Sequence, residues 1–207
     1  MDTTNTSNDT EAYSPAGSWD VYFASGRRFR PPTPSELANL EPHTGQGRRR
    51  ILDIGCGTGT LTGILHASGH DVTGLDFSPE AIRQALADHP GPGYVLADAD
   101  QDGPGGLGAL AGPYDLIVCR LVVAFITDLH RFMRRASSLL ADDGHLYVMT
   151  PIAEELPPER RSHAQTRAQI AALAASWTES SVREIEDHAH LTLSGLYRPV
   201  TGTSTRR

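Results

Sequence analysis

The 207 residues have the length of one ordinary domain, and 39% apolar with 21% charged residues exclude a disordered chain. Eighteen basic against 25 acidic residues give a net charge of −7, which argues against a non-specific binder of nucleic acid or anionic membrane. All the basic residues are arginine, so no lysine base, Schiff base or Walker lysine is available; two cysteines make no disulfide framework, and no apolar run approaches the roughly 18 residues of a membrane span.

Residues 1–14 are almost wholly polar and predict a disordered tail. They lack the basic start and apolar stretch of a secretory signal, so the expected location is cytoplasmic. Residues 15–45 read as a short helical segment ahead of the main domain. It holds the apolar patch Trp19-Asp20-Val21-Tyr22-Phe23, then Arg27, Arg28, Phe29 and Arg30. Thr33-Pro34-Ser35-Glu36 then opens a short helix, with a Thr cap, Pro at its first position and Glu three after the cap.

Residues 46–207 read as one domain. Arg48 to Arg50 lead into a buried strand, Ile51–Ile54. Leu61, Ile64 and Leu65 follow at helical spacing. Asp71–Leu75 is a second strand ending in Asp76, and Ser78-Pro79-Glu80 opens the next helix. Tyr94–Ala97 is a third strand, ending in Asp98. Tyr114–Cys119 is a fourth, reached through a loop over roughly 102–113. Leu129, Phe132, Met133, Ala136, Leu139 and Leu140 form a helical stripe. His145–Met149 is a fifth strand. A helix is expected from Pro157 to about Trp177, then strands at Val182–Glu186 and Leu191–Tyr197 joined by a tight turn. The alternation predicts an α/β fold: a three-layer, Rossmann-like, doubly wound sheet of about seven strands, the last antiparallel.

The stretch with chemical content is Asp53-Ile54-Gly55-Cys56-Gly57-Thr58-Gly59-Thr60, between a buried strand and a helix. Glycines there allow a sharp turn and close approach of backbone to a ligand. The spacing is G-x-G-x-G, and Thr60 breaks the dinucleotide fingerprint. Asp76, at the end of the second strand, can accept both hydroxyls of a ribose; alternatively it only caps the helix that follows.

These residues resemble the class I S-adenosylmethionine-dependent methyltransferases over roughly Arg50 to Met149. Ile51–Gly59 resembles the family's first motif, and Gly74-Leu75-Asp76-Phe77-Ser78 its ribose-binding strand end. Ala97-Asp98-Ala99 resembles the adenine-contacting turn, and Tyr114-Asp115-Leu116-Ile117 the fourth-strand motif. The resemblance implies that S-adenosyl-L-methionine is the cofactor and that its methyl group passes to an O, N or C atom of an acceptor. It implies Gly55, Gly57 and Gly59 toward the methionine moiety, Asp76 on the ribose, Asp98 and Ala99 on the adenine, and Asp53 behind the loop. Phe77, Cys56 and Cys119, at the same strand ends, join the expected cofactor-binding residues. The chain departs from the family pattern at Ala141-Asp142-Asp143-Gly144, a turn away from the ligand edge.

The acceptor side is less defined. Cys119-Arg120-Leu121-Val122 lacks the Asn/Asp-Pro-Pro-Tyr of amino-group methylases. There is no Pro-Cys nucleophile motif, and no aspartate ends the fourth strand to hold magnesium. No H-E-x-x-H or other metal spacing exists among the nine histidines. The expected acceptor is a small molecule or short peptide, bound between residues 13–45, 120–128 and 150–165. Trp19, Tyr22, Arg27, Arg30 and Arg120 are lid or acceptor-contact candidates. His130 and His163 are the only candidate bases, and surface roles compete for both. Cys56 and Cys119 are expected to be reduced and non-catalytic, and the chain to act as a monomer or homodimer. A nicotinamide-dependent oxidoreductase and a non-catalytic S-adenosylmethionine-binding protein are the competing readings.

Overall fold

A computed structural model of the chain describes residues 16–199. The expected tail at 1–14 lies outside the described residues. The elements in order are α1 (Ala16–Ala24), α2 (Pro34–Thr44), β1 (Arg50–Ile54), α3 (Thr60–Ala67), β2 (Asp71–Asp76), α4 (Pro79–Asp88) and β3 (Gly93–Leu96). Then come β4 (Tyr114–Arg120), α5 (Leu129–Ser138), β5 (Leu140–Pro151), α6 (Arg167–Ala175), β6 (Trp177–Ile185) and β7 (His188–Tyr197).

The seven strands form one sheet in the order β3-β2-β1-β4-β5-β7-β6. The first five are mutually parallel, and β7 is antiparallel to both β5 and β6. The period-two alternation of strand side chains sorts the core onto two faces. Leu52, Ile54, Ile117, Cys119, Leu146 and Val148 join one cluster with Phe132 and Met133 of α5 and Ile170 and Leu173 of α6. Their neighbours Ile51, Leu116, Val118, Tyr147 and Met149 join another with Leu40 of α2 and Leu61 and Leu65 of α3. This is the expected three-layer arrangement. Chain order reverses direction between β1 and β4, and open parallel sheets bind ligands at the carboxyl ends of the strands flanking such a point.

Local chemistry sets several boundaries. The Thr33 hydroxyl accepts from Glu36 N–H while Glu36 reaches back to Thr33 N–H, closing a capping box on α2. The Ser78 hydroxyl caps α4 by accepting from Ala81 N–H. Arg50 donates to the carbonyls of Ala111 and Pro113, and its own N–H donates to Asp115. The arginine run therefore braces the amino end of β1 and the loop before β4.

The carboxyl-terminal third departs from expectation. The helix predicted from Pro157 to Trp177 is two elements. A 3-10 turn over Pro158–His163 ends where Gln165 returns to the sheet edge beside Ile152. A new capping box, Thr166 with Gln169, then starts α6. Trp177 is buried, but as the first residue of β6 rather than the last of a helix. The expected turn at Ala141–Gly144 is an insertion within β5, between the pairs Tyr114↔Leu140 and Leu116↔His145.

Candidate functional site

A cleft of about 740 Å³, its open mouth included, lies over the carboxyl ends of β1, β2, β3 and β4. The loop after β1 forms its floor. The N–H groups of Gly55 and Cys56 both donate to the Leu75 carbonyl, at 2.7 and 3.0 Å, tying that loop to β2. Gly55 has φ +71°, and a Cβ there would stand 2.3 Å from Val122 Cγ2, so no side chain fits. Gly57 also lines the cleft. Gly59 does not; a Cβ on it would meet the Tyr94 hydroxyl at 2.7 Å, so it serves the packing of α3 against β3 and α4.

Asp76 is fixed from two sides. Its Oδ2 accepts from Gly57 N–H and its Oδ1 from Ser78 N–H, both at 2.9 Å. Burial pushes its carboxyl above the usual range, and these amides oppose that shift. The helix cap itself is Ser78, so capping α4 does not account for Asp76. A carboxylate oxygen holding one amide keeps a lone pair free, and Asp76 lines the cleft. Phe77, Asp98 and Ala99 line it as well. Asp98 is already engaged, its oxygens accepting from Asp100 N–H at 2.9 Å and Gln101 Nε2 at 3.0 Å. Asp100, a lining residue that sequence reasoning missed, accepts from Thr127 N–H and so ties the loop after β3 to the loop after β4.

Three of the expected cofactor-side residues stand behind the cleft wall. Asp53 is 2% exposed and accepts from the Thr62 hydroxyl at 2.7 Å. Burial pushes it up to about 6. Cys56 and Cys119 are buried free thiols whose pKa values burial raises further. A thiol in that state is a poor nucleophile. Cys119→Ala is expected to cost roughly 1 kcal/mol of stability, as one small buried group does, and to leave activity within a small factor. A large loss of turnover with ligand binding intact would contradict this.

The segment before β1 forms the opposite wall. Trp19, Phe23 and Phe29 line the cleft, and Trp19 packs edge-on against Phe29 and Phe125, with centroids 5.7 Å apart in each pair. Tyr22 and Arg27 do not line it. Tyr22 packs on Trp19, and Arg27 lies over the Tyr22 ring at 5.5 Å. Asp20 anchors α1, because its Oδ1 accepts from the Ser78 hydroxyl and from Glu80 N–H at the start of α4. Nothing in the pattern around Asp20 signalled this contact, which spans 60 residues. On the other side, Arg120 joins the cleft to α2. It donates to Glu36 at 2.9 Å and to the Arg30 and Pro31 carbonyls. Leu121, next to it, has φ +62°, a strained backbone position at the cleft wall.

The histidine candidates are not at the cleft surface. His130 pairs with the Tyr197 hydroxyl, where α5 meets β7. His163 packs its ring on Phe125, 5.5 Å between centroids, and burial lowers its pKa. No residue of 150–165 lines the cleft; it is built from residues 19–29, 55–57, 75–77, 97–100 and 120–126. Phe125 and Ile126, within the stretch 120–128 expected to contribute, carry much of its apolar wall.

The sequence model of a methyltransferase domain matches residues 25–192. The chain belongs to that family. Among relatives, the methyltransferase-domain chain is 37% identical over 124 residues to the ubiquinone biosynthesis O-methyltransferase of Caulobacter sp. (strain K31), covering 55% of this chain and 47% of that one. It is 38% identical over 117 residues to the biotin biosynthesis bifunctional protein BioCD of Bordetella avium (strain 197N), covering 56% and 24%. The chain thus spans less than half the length of these two relatives. Among solved structures, the TehB-like S-adenosylmethionine-dependent methyltransferase of Corynebacterium glutamicum superposes with a TM-score of 0.61 at 20% identity, covering 86% and 95%. At that identity the likeness is one of fold.

Proposed function

We propose that the cleft binds S-adenosylmethionine and that the chain transfers its methyl group to a small-molecule or short-peptide acceptor. The observation that carries this reading is Asp76, held by the amides of Gly57 and Ser78 at the end of β2, beside a glycine loop at the switch point of the sheet. The residues suit that ligand. Asp76 offers acceptors to a vicinal diol. Gly55 and Gly57 bring backbone close to the ligand without side chains. Phe77, Ala97, Ala99 and Ile126 give apolar walls for a purine, with the Ala99 N–H at its edge. Asp53 supports the loop from behind through Thr62.

S-adenosylmethionine supplies a methyl group made electrophilic by its sulfonium, which an acceptor's lone pair takes as the carbon–sulfur electrons return to sulfur. The protein's share is placement and dryness. Holding two reactants in line supplies on the order of 7–11 kcal/mol in well-oriented systems. Trp19, Phe23, Phe29 and Phe125 exclude water from the place where the reactants meet. The two buried free thiols suit a reducing, cytoplasmic compartment. No helix among the described residues is long and apolar enough to cross a membrane.

The direct test is incubation with methyl-labelled S-adenosylmethionine and a cell extract. The label is expected in a small-molecule or peptide fraction. Turnover of the cofactor to S-adenosylhomocysteine with no labelled product in any fraction would contradict it.

The aromatic wall gives a separate expectation. Deleting residues 2–12 should leave affinity for S-adenosylhomocysteine unchanged. Deleting 2–26 removes Trp19, Asp20 and Phe23 and should weaken it by about tenfold or more, the scale of one lost anchor. Equal affinity for the two truncations would show that the segment is not a lid.

A further inference from the structure

The ionisable side chains that line the cleft are Asp76, Asp98, Asp100 and one cation, Arg120. Each of the three carboxylates already accepts hydrogen bonds from its own surroundings. No His, Tyr, Cys or Glu lines the cleft among the described residues. An acceptor that must lose a proton there finds only carboxylates that already hold backbone amides, whereas one that is already anionic at neutral pH needs none.

Arg120 is placed to meet such a group. Its side chain is only 13% exposed. Its Nε and Nη2 both reach Glu36 Oε2 at 2.9 Å, and Arg30 Nη2 reaches the other oxygen of that carboxylate at 2.9 Å. Two guanidinium groups therefore share one carboxylate. His188 Nε2 accepts from Arg30 at 3.0 Å, so that imidazole is uncharged. Asp187 lies beyond it, 45% exposed, where water screens its charge. Asp53 is the other carboxylate that Arg120 feels, and it lies behind the loop. Nη1 of Arg120 donates once, to the Arg30 carbonyl at 3.2 Å, and an Nη nitrogen carries two N–H groups. Arg30, 41% exposed, does not line the cleft but shares Glu36 with Arg120, and its Nε and Nη1 donors are unused among the described residues. Of the other residues that line the cleft, Trp19, Phe29, Leu121, Val122 and Phe125 are apolar.

We infer that the acceptor is a small apolar acid, ionised at neutral pH, whose anionic group is held by Arg120 with Arg30 beside it. This rests on the methyl-transfer reading for the word acceptor, but the subsite is testable by itself. The probes are 2-naphthoate and 2-naphthamide, matched in shape and different in charge. Binding is measured by calorimetry with and without S-adenosylhomocysteine, so a failure of that ligand to bind leaves the contrast readable. The acid should bind at least tenfold more tightly than the amide to the wild-type chain, and its advantage should shrink as salt rises. Arg120→Gln should abolish the advantage. Arg30→Gln, outside the cleft lining, should reduce it severalfold while S-adenosylhomocysteine binds as before. Equal binding of acid and amide, or an undiminished preference in Arg30→Gln and Arg120→Gln chains that retain wild-type melting temperatures, would overturn the inference. Should Arg120→Gln unfold the chain, the Arg30→Gln result decides alone.

Discussion

Asp76→Ala should weaken S-adenosylhomocysteine by about 30-fold or more. Truncating one partner of a buried, charge-assisted pair typically costs about 2–5 kcal/mol, and about 1.4 kcal/mol is a factor of ten. The same carboxylate also receives the Gly57 and Ser78 amides at 2.9 Å. Its loss leaves two buried donors unmatched, so the variant should also melt earlier, by the equivalent of roughly 1–3 kcal/mol. Asp76→Asn separates the two effects. An amide oxygen keeps one backbone contact and most of the shape, but its NH2 cannot accept from a ribose hydroxyl. Asn should therefore recover part of the stability and little of the affinity, read by melting and by titration on the same samples. If Asp76→Ala binds as tightly as wild type, the carboxylate serves the loop alone.

Asp53→Asn should make the ligand-free chain more stable at neutral pH. Asp53 titrates near 6 in the folded state, against 3.8 for its ordinary value, mainly because burial disfavours its charge. Between those two values the folded chain holds a proton that the unfolded chain has lost, so stability falls as pH rises through that window. Above about pH 6 the cost is complete, about 3 kcal/mol for a shift of roughly two units. Asparagine carries no charge to bury and can still accept from Thr62. Its gain should be roughly 2 kcal/mol at pH 8, since its new NH2 is imperfectly matched, and should vanish below about pH 4. Denaturant titrations at pH 4 and pH 8 check both ends. A gain at pH 4 equal to that at pH 8 would show that charge burial is not its cause.

The parts legible in the sequence were those where pattern and chemistry coincide. Ile51, Leu52 and Ile54, and Leu116 to Cys119, put apolar side chains on both faces because helices cover both sides of the sheet. The loop Gly55–Gly59 and Asp76 stand out because few residue types suit a tight turn over a ligand. The misread helix from Pro157 to Trp177 had a visible stop and start, since Thr166 and Gln169 form a capping box, but its apolar stripe ran on through Trp177. The early part of β6 was missed because Thr178–Ser181 are exposed and polar, so no alternation marks them. Asp20, Glu36 and Asp100 could not have been found by spacing. Their roles depend on contacts with α4, with β4 and with the loop after β4, far away in the chain.

The most direct test of methyl-donor binding is calorimetric titration of the wild-type chain with S-adenosylhomocysteine and, separately, with NADH. Both ligands present a ribose to an acidic residue at a strand end, so the contrast bears on the whole cleft rather than on Asp76 alone. S-adenosylhomocysteine should bind at one site per chain and raise the melting temperature, and NADH should do neither. Saturable binding of NADH with none of S-adenosylhomocysteine would contradict the account.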